Sequence, residues 1–575
     1  MVDRDARALV ERNWPYALLV TIVAFMFWVR MRPADRVITD SAVYFSGNDP
    51  WYHKRMVELA VRHFPATTPF DPWSQFPFGT GYHSGFGGLF DQLVALAALV
   101  VGLGSPTGHT TDVVLAIAPP VFGALTAVPT YVIAKRITDR AWGLVAAILL
   151  ALLGGGILAR TIVGTADHQA AEALFGAIAV AGFVFAISVA YRESPMVEDV
   201  GDRNWGVLYE PTLAGVAGGV AVASYLMLWP PGVMLLFTFG VFVLLQISRE
   251  HVAGRVPDHV AFATVVSMVT TGVLTLLYAR SYTIDSNEFS LLQPLVAFGL
   301  AAGTVVILGL SRYFERERLD RRYYPAAVGG LLVASLVLGW IVFPRSIDLL
   351  RQLIVRIYSF GLLTSSSALT VAEIQPPTFD DAFSSFGTIL PLAVVGLLLM
   401  AYHVYRENRP VELLVVLWSL TMFSAYATMA RFGYYLAVNA AILASFGIWW
   451  AATRWLALGS IDLDDLREID AYQVIGVLVI LLLVVPGNVV ATPGQQPAWV
   501  VAENPALSGT DQAWYDGLSW MRDNTPEVPM DYYSQYDRPD DLDYEYPSGA
   551  YGVMSWWDYG HWITVQGHRI PNANP

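Results

Sequence analysis

The chain has 575 residues, 55% of them hydrophobic and only 14% charged, with a mean hydropathy of +0.48; an ordinary soluble domain is about 25% charged, so a water-soluble globule is excluded. Its 34 basic and 48 acidic residues leave a net charge of −14, which argues against a nucleic-acid binder, since such proteins cluster positive charge. Cysteine is absent, so disulfides and thiolate metal sites are excluded.

The first apolar run, Trp14 to Val29, follows a charged segment and lacks a small-residue cleavage site before Arg30, so it reads as an uncleaved first helix. Further runs of spanning length fall near 112–134, 141–158, 168–190, 211–229, 231–247, 258–279, 290–311, 325–343, 384–404, 411–430, 433–452 and 472–488. Together they predict a polytopic α-helical membrane protein with about 13 transmembrane helices of roughly 20 residues each. The apolar run 87–104 decides the side of everything that follows. If it does not span, the short cytoplasmic connections collect Lys135, Arg136 and Arg140, then Arg249 and Arg255, then Arg312 to Arg322, then Arg406 and Arg409. If it spans, all of these fall outside, against the positive-inside rule. The run is therefore read as a helix on or near the outer surface. Residues 1–489 form the membrane domain, with large outer loops 30–111 and 344–383, and 490–575 begin a soluble extracytoplasmic domain.

Three carboxylates arrive on that outer face. Asp49 lies in Gly47-Asn48-Asp49-Pro50-Trp51-Tyr52-His53-Lys54-Arg55, Asp167 in Gly164-Thr165-Ala166-Asp167-His168-Gln169, and Glu373 in Thr370-Val371-Ala372-Glu373. Singly each has an ordinary explanation: a turn residue, a helix cap, a solvated loop. Jointly they offer oxygen ligands from separate loops to a hard divalent cation. Arg431 opens Arg431-Phe432-Gly433-Tyr434-Tyr435 at the outer interface; it reads as an anchor or as a fork for a lipid phosphate. In the soluble tail, Trp556-Trp557-Asp558-Tyr559-Gly560 sets two indole donors beside a carboxylate acceptor, a pairing suited to a hydroxyl group.

Trp556 to Gly560 resembles the WWDYG signature of the catalytic subunit of oligosaccharyltransferase, the enzyme of asparagine-linked protein glycosylation. Thr370 to Glu373 resembles its TIxE motif, and Gly47-Asn48-Asp49 and Asp167-His168-Gln169 fall where the family has its two DxD-type motifs. Only Lys54 and Lys135 among the basic residues are lysines; with the acid excess, this resembles the composition of haloarchaeal proteins. The resemblance implies a GT-C type membrane architecture with a mixed α/β C-terminal domain. It implies transfer of an oligosaccharide from a dolichyl-phosphate or diphosphate carrier to the asparagine amide of Asn-x-Ser/Thr in acceptor proteins, at the extracytoplasmic face of the plasma membrane. Asp49, Asp167 and Glu373 would be catalytic and, with Gln169 and His83, would surround Mn²⁺ or Mg²⁺. Trp556, Trp557 and Asp558 would bind the acceptor hydroxyl, and Arg431 the lipid phosphate. Gly47 and Gln169 depart from a full DxD pattern, and Gln169 offers only an uncharged carbonyl oxygen. Relatives continue beyond the position of Pro575 into a larger soluble domain, so the resemblance also implies a truncated tail. Two other readings stand beside it: a different polytopic transferase using a lipid-phosphate sugar and a lipid acceptor, and a transporter, for which Glu172 and Pro119-Pro120 are the only intramembrane features.

Overall fold

A computed structural model describes residues 2–40, 42–81, 88–193, 196–279, 282–285, 288–360, 372–455, 471–492, 494–503, 509–539 and 544–574. Among them, eleven helices are long and apolar enough to cross a bilayer, from Arg12–Arg30 and Gly108–Ile137 to Pro410–Thr428 and Ala430–Trp455. The chain is a multi-pass helical membrane protein. Two of the thirteen predicted spans are less regular than expected. Arg140–Leu152 has 13 residues, because the apolar run predicted to continue to 158 meets Gly154-Gly155-Gly156, where backbone freedom works against helix. Ala471–Asn488 loses helical geometry at Pro486 and Gly487. The 87–104 run forms a helix over Leu89–Val101, 13 residues. That is about 20 Å at 1.5 Å per residue and falls short of a hydrocarbon core of about 30 Å.

The predicted loops carry structure of their own. Segment 30–111 holds the helix Asp49–His63. Segment 344–383 holds Pro344–Tyr358 and the start of Phe379–Phe386. The latter opens on a capping box in which Thr378 and Asp381 satisfy each other's backbone N–H groups. In the bundle, small residues allow close helix approach: a Cβ at Gly396 would run into the carbonyl oxygen of Leu443 on the neighbouring helix.

The Asp49–His63 helix is amphipathic and has Pro50 in its first turn, where the missing N–H costs nothing. Trp51, His53, Arg55, Val57 and Leu59 are buried. Trp51 packs between Phe45 and Trp562, with ring centroids at 5.7 and 4.7 Å. Arg55 forms a two-pronged pair with Asp71 at 2.7 and 2.8 Å and also donates to the Tyr532 carbonyl at 2.9 Å. Asp71 sits in a short antiparallel ladder, Phe70–Asp71 with Thr80–Gly81. A second ladder, Gly552–Val553 with Ile570–Pro571, is parallel. In the tail a helix runs over Gly509–Asn524.

Candidate active site

Segments distant in sequence converge beside the Asp49–His63 helix. Ser46 donates its N–H to the Gly164 carbonyl at 3.0 Å, and Gly164 donates to the Ala116 carbonyl at 3.0 Å. Gly164 has φ +87°, a conformation that side chains rarely adopt, and there the chain turns toward Asp167. Arg30, buried at the end of the first helix, anchors the same segment through Thr161 at 2.8 Å. Ala430 donates to the Gln375 carbonyl at 2.9 Å, which ties the Glu373 turn to the short 3-10 turn Ala430–Phe432.

The electrostatics report the convergence. Asp49 has its carboxyl pushed up to about 6 by burial and by the charges of Asp167 and Glu373, against the pull of His168 and His53. Burial disfavours charge at His168, yet Asp167 and Glu172 overcome it and raise the imidazole to about 10. Asp167, although buried, is held well below the usual carboxylate range by His168 and His53. Arg160, 2.6 Å from Glu373 and 4.0 Å from Asp167, brings those two carboxylates near each other, and Asp49 feels the charge of both.

Asp167 divides its two oxygens. Oδ1 lies 2.6 Å from His168 Nδ1 and 3.6 Å from His53 Nε2, and it accepts the Gln169 N–H at 3.3 Å, so the expected cap is present in weak form. Oδ2 is buried without a hydrogen-bond partner, as is Gln169 Oε1. Glu373 has two guanidinium neighbours: Arg160 at 2.6 Å and Arg431 at 3.8 Å. Arg160 also stands 4.0 Å from Asp167 Oδ2. Arg431 is largely buried, its side chain 18% exposed. His83, Thr370 and Val371 lie outside the described residues.

Several participants were not expected. His53, Asp167 and His168 can bring one ligand atom each within 4.8 Å of one another, an arrangement with the donor types of a metal centre. Asp91 holds His53 Nδ1 at 2.7 Å. His53 lies four residues after Asp49, the spacing that puts two side chains on one helix face, and that signal was available. Arg160 was also signalled, as an arginine in a short connection on the side where basic residues are scarce. Glu172, the intramembrane acid that a transporter reading would use, is occupied instead. It accepts hydroxyl hydrogen bonds from Tyr434 at 2.7 Å and from Tyr435, and it faces His168 at 2.9 Å.

In the tail, Trp556 donates its indole N–H to Asp558 at 2.9 Å. Trp557 begins the 3-10 turn Trp557–Tyr559 and the helix Gly560–Val565 follows. Trp556 is 62% and Trp557 36% exposed, so both present indole surface to solvent. The helix returns Trp562 to the Asp49–His63 helix, where its indole N–H donates to Asn48 Oδ1 at 2.8 Å, one residue before Asp49.

Comparison with known proteins places these motifs in context. The family model described as oligosaccharyl transferase STT3, N-terminal, matches residues 19–461, and that of the AglB core domain matches 511–575. The chain is 36% identical to the dolichyl-monophosphooligosaccharide–protein glycotransferase AglB of Haloferax volcanii, over 99% of this chain and 61% of that protein. It is 29% identical to dolichyl-phosphooligosaccharide-protein glycotransferase 3 of Archaeoglobus fulgidus, over 100% and 65%. It therefore spans less than two thirds of the length of these curated relatives. The archaeal oligosaccharyltransferase AglB from Archaeoglobus fulgidus, solved with an inhibitory peptide and a dolichol-phosphate, has a similar fold. The TM-score is 0.82 at 26% identity, covering 98% of this chain and 65% of that one. The Archaeoglobus fulgidus oligosaccharyltransferase solved with Zn and sulfate gives 0.75 at 25% identity, covering 97% and 62%.

Proposed function

The chain belongs to the STT3 family of oligosaccharyltransferases, and from that premise we propose that it transfers an oligosaccharide from a dolichyl-phosphate-type lipid to the asparagine amide of Asn-x-Ser/Thr sequons. The observation that carries this reading is the cluster of Asp49, Asp167 and Glu373 from three separate segments, with Arg431 against Glu373. Residues 1–489 are the membrane catalytic domain and 490–575 the soluble part that receives the acceptor. The site faces outward across the plasma membrane, a placement supported by the basic clusters on the opposite connections.

The residues fit a divalent cation. Two buried oxygens, Asp167 Oδ2 and Gln169 Oε1, lack partners, and the carboxyl of Asp49 is raised by burial and then by its anionic neighbours, a conflict that positive charge relieves. Asp49, Asp167 and Gln169 would hold Mn²⁺ or Mg²⁺, with Glu373 beside them. When bound, the cation fixes the carboxylates and offsets negative charge on the departing phosphate.

In the reaction the amide nitrogen bonds to the sugar's anomeric carbon, the carbon–oxygen bond to phosphate breaks with its electron pair leaving on phosphate, and the nitrogen gives up one proton to the carboxylate, Asp49 or Glu373, that holds that N–H. The amide is a poor nucleophile because its lone pair is delocalised, and full loss of resonance costs about 18–20 kcal/mol. Hydrogen bonds to charged groups contribute about 1.5–3 kcal/mol each, so Asp49 and Glu373 twist and position the amide instead of rotating it fully. Arg160, which donates to Glu373 at 2.6 Å, holds its carboxylate for that task. Arg431 offers its fork to the lipid phosphate, and Trp556, Trp557 and Asp558 take the acceptor hydroxyl.

Incubation with lipid-linked glycan, an Asn-x-Thr peptide and Mn²⁺, followed by mass spectrometry, tests the proposal. The peptide should gain the glycan mass at asparagine; glycan arriving only on an added lipid acceptor overturns the reading.

A further inference from the structure

The two oxygens of Asp167 differ because one of them is held by a chain of buried contacts. Behind Oδ1 stands His168 Nδ1 at 2.6 Å, and the far nitrogen of the same ring, Nε2, stands 2.9 Å from Glu172 Oε1. Glu172 is fully buried, and its other oxygen receives the hydroxyls of Tyr434 and Tyr435. His53 closes on the same oxygen at 3.6 Å and is itself held by Asp91 at 2.7 Å. A carboxylate turns easily about its last torsion. Contacts that fix Oδ1 therefore also fix where Oδ2 points. An ionisable acid within a spanning helix is costly and is retained where it has a partner or a task. Nothing in the proposed transfer gives Glu172 a contact with either substrate.

We propose that His168 is a positioning residue: braced by Glu172 and the two tyrosines, it pins Oδ1 of Asp167 so that Oδ2 is presented to the cation. This rests on the reading that Asp49, Asp167 and Gln169 hold that cation. It also joins the cation site, through Tyr434 and Tyr435, to the helix that follows the Arg431 turn. Carboxylates that ligate metals depend on such partners, and their removal typically costs about 10- to 100-fold in affinity.

The ring can be replaced one end at a time. An asparagine amide nitrogen occupies roughly the place of imidazole Nδ1 and keeps the contact to Asp167; a glutamine amide nitrogen occupies roughly that of Nε2 and keeps the contact to Glu172. Binding of Mn²⁺ to the purified chain, without lipid or peptide, is read from the free-ion electron paramagnetic resonance signal. His168→Gln should weaken binding by about 10- to 100-fold, while His168→Asn, which keeps the contact to Asp167 and loses only the brace, should weaken it only several-fold. Melting temperatures of the two variants provide the check on folding, because a purely structural histidine would not distinguish them in metal binding alone. Equal affinities, or weaker binding by the asparagine variant, overturn the proposal. Should both variants fail to fold, Tyr434→Phe with Tyr435→Phe takes their place: it removes both braces from Glu172 and should weaken Mn²⁺ binding several-fold, and parental affinity there overturns the proposal. Asp49→Asn separates this from the parent reading. Loss of binding in Asp49→Asn with equal affinities in the histidine pair removes only the role of His168; a parent chain that binds no Mn²⁺ removes both.

Discussion

Gln169 shows how much a single atom can decide. Its Oε1 is buried without a partner, and such an atom normally costs stability, so an apolar residue of similar size should be tolerated or even stabilising. Gln169→Leu is therefore expected to melt at or above the parent temperature and yet bind Mn²⁺ more weakly. Unchanged metal affinity would show that the amide is not a ligand. Gln169→His should bind more tightly, since an imidazole is a better donor than an amide for transition metals. For the carboxylates, Asp49→Asn and Glu373→Gln keep size and remove charge. Each should lower kcat/KM for transfer by a factor on the order of 10²–10⁴, the range for a group acting on a proton at the reacting atom. A folded variant of either kind with near-parental turnover would remove that residue from the mechanism.

The Asp49–His63 helix is the element on which the site is mounted, and its attachment is ionic as well as apolar. Arg55 and Asp71 are both buried, and the guanidinium also lies 4.1 Å over the Tyr532 ring. Removing one member of such a pair strands the other, at a cost of about 3–5 kcal/mol, whereas replacing both by apolar residues is often neutral. Arg55→Ala should lower the melting temperature and speed proteolysis of the tail around 531–536, and Arg55→Met with Asp71→Leu should recover most of the loss in melting temperature. A single variant that melts with the parent would count against the clamp. At this scale the sequence was most readable, because hydropathy finds spans from composition alone. It missed the early end of Arg140–Leu152, since a window that averages hydropathy scores three glycines as ordinary residues. It brought Asp49, Asp167 and Glu373 to one face through the parity of spans. It could not pair His53 with Asp91, 38 residues away, or Arg160 with Glu373, 213 residues away, because nothing local marks such partners.

Across the whole molecule the site is built at the seam between membrane helices and tail, so donor and acceptor functions should fail separately. Trp562 reaches Asn48, Arg55 reaches Tyr532, and the Thr564 hydroxyl donates to the Trp73 carbonyl at 2.9 Å. These contacts bring the tail carrying Trp556 to Asp558 against the helix that carries Asp49. Arg431 lies instead with Glu373. Arg431→Ala should raise the concentration of lipid-linked glycan needed for half-maximal transfer and leave that of peptide nearly unchanged. Trp557→Ala should do the reverse, and its selectivity supplies the stronger test. A pocket built to hydrogen-bond a hydroxyl can reject the analogue lacking it by several kcal/mol, because its polar groups are left unpaired. The extra methyl of threonine over serine is worth no more than about 1–3 kcal/mol. The parent should therefore rank Asn-x-Thr above Asn-x-Ser modestly and both above Asn-x-Ala by a wide margin, measured as kcat/KM on matched peptides. In Trp557→Ala the margin over Asn-x-Ala should collapse while the glycan requirement holds. Parental transfer to Asn-x-Ala at the Asn-x-Thr rate would remove Trp556, Trp557 and Asp558 from acceptor recognition.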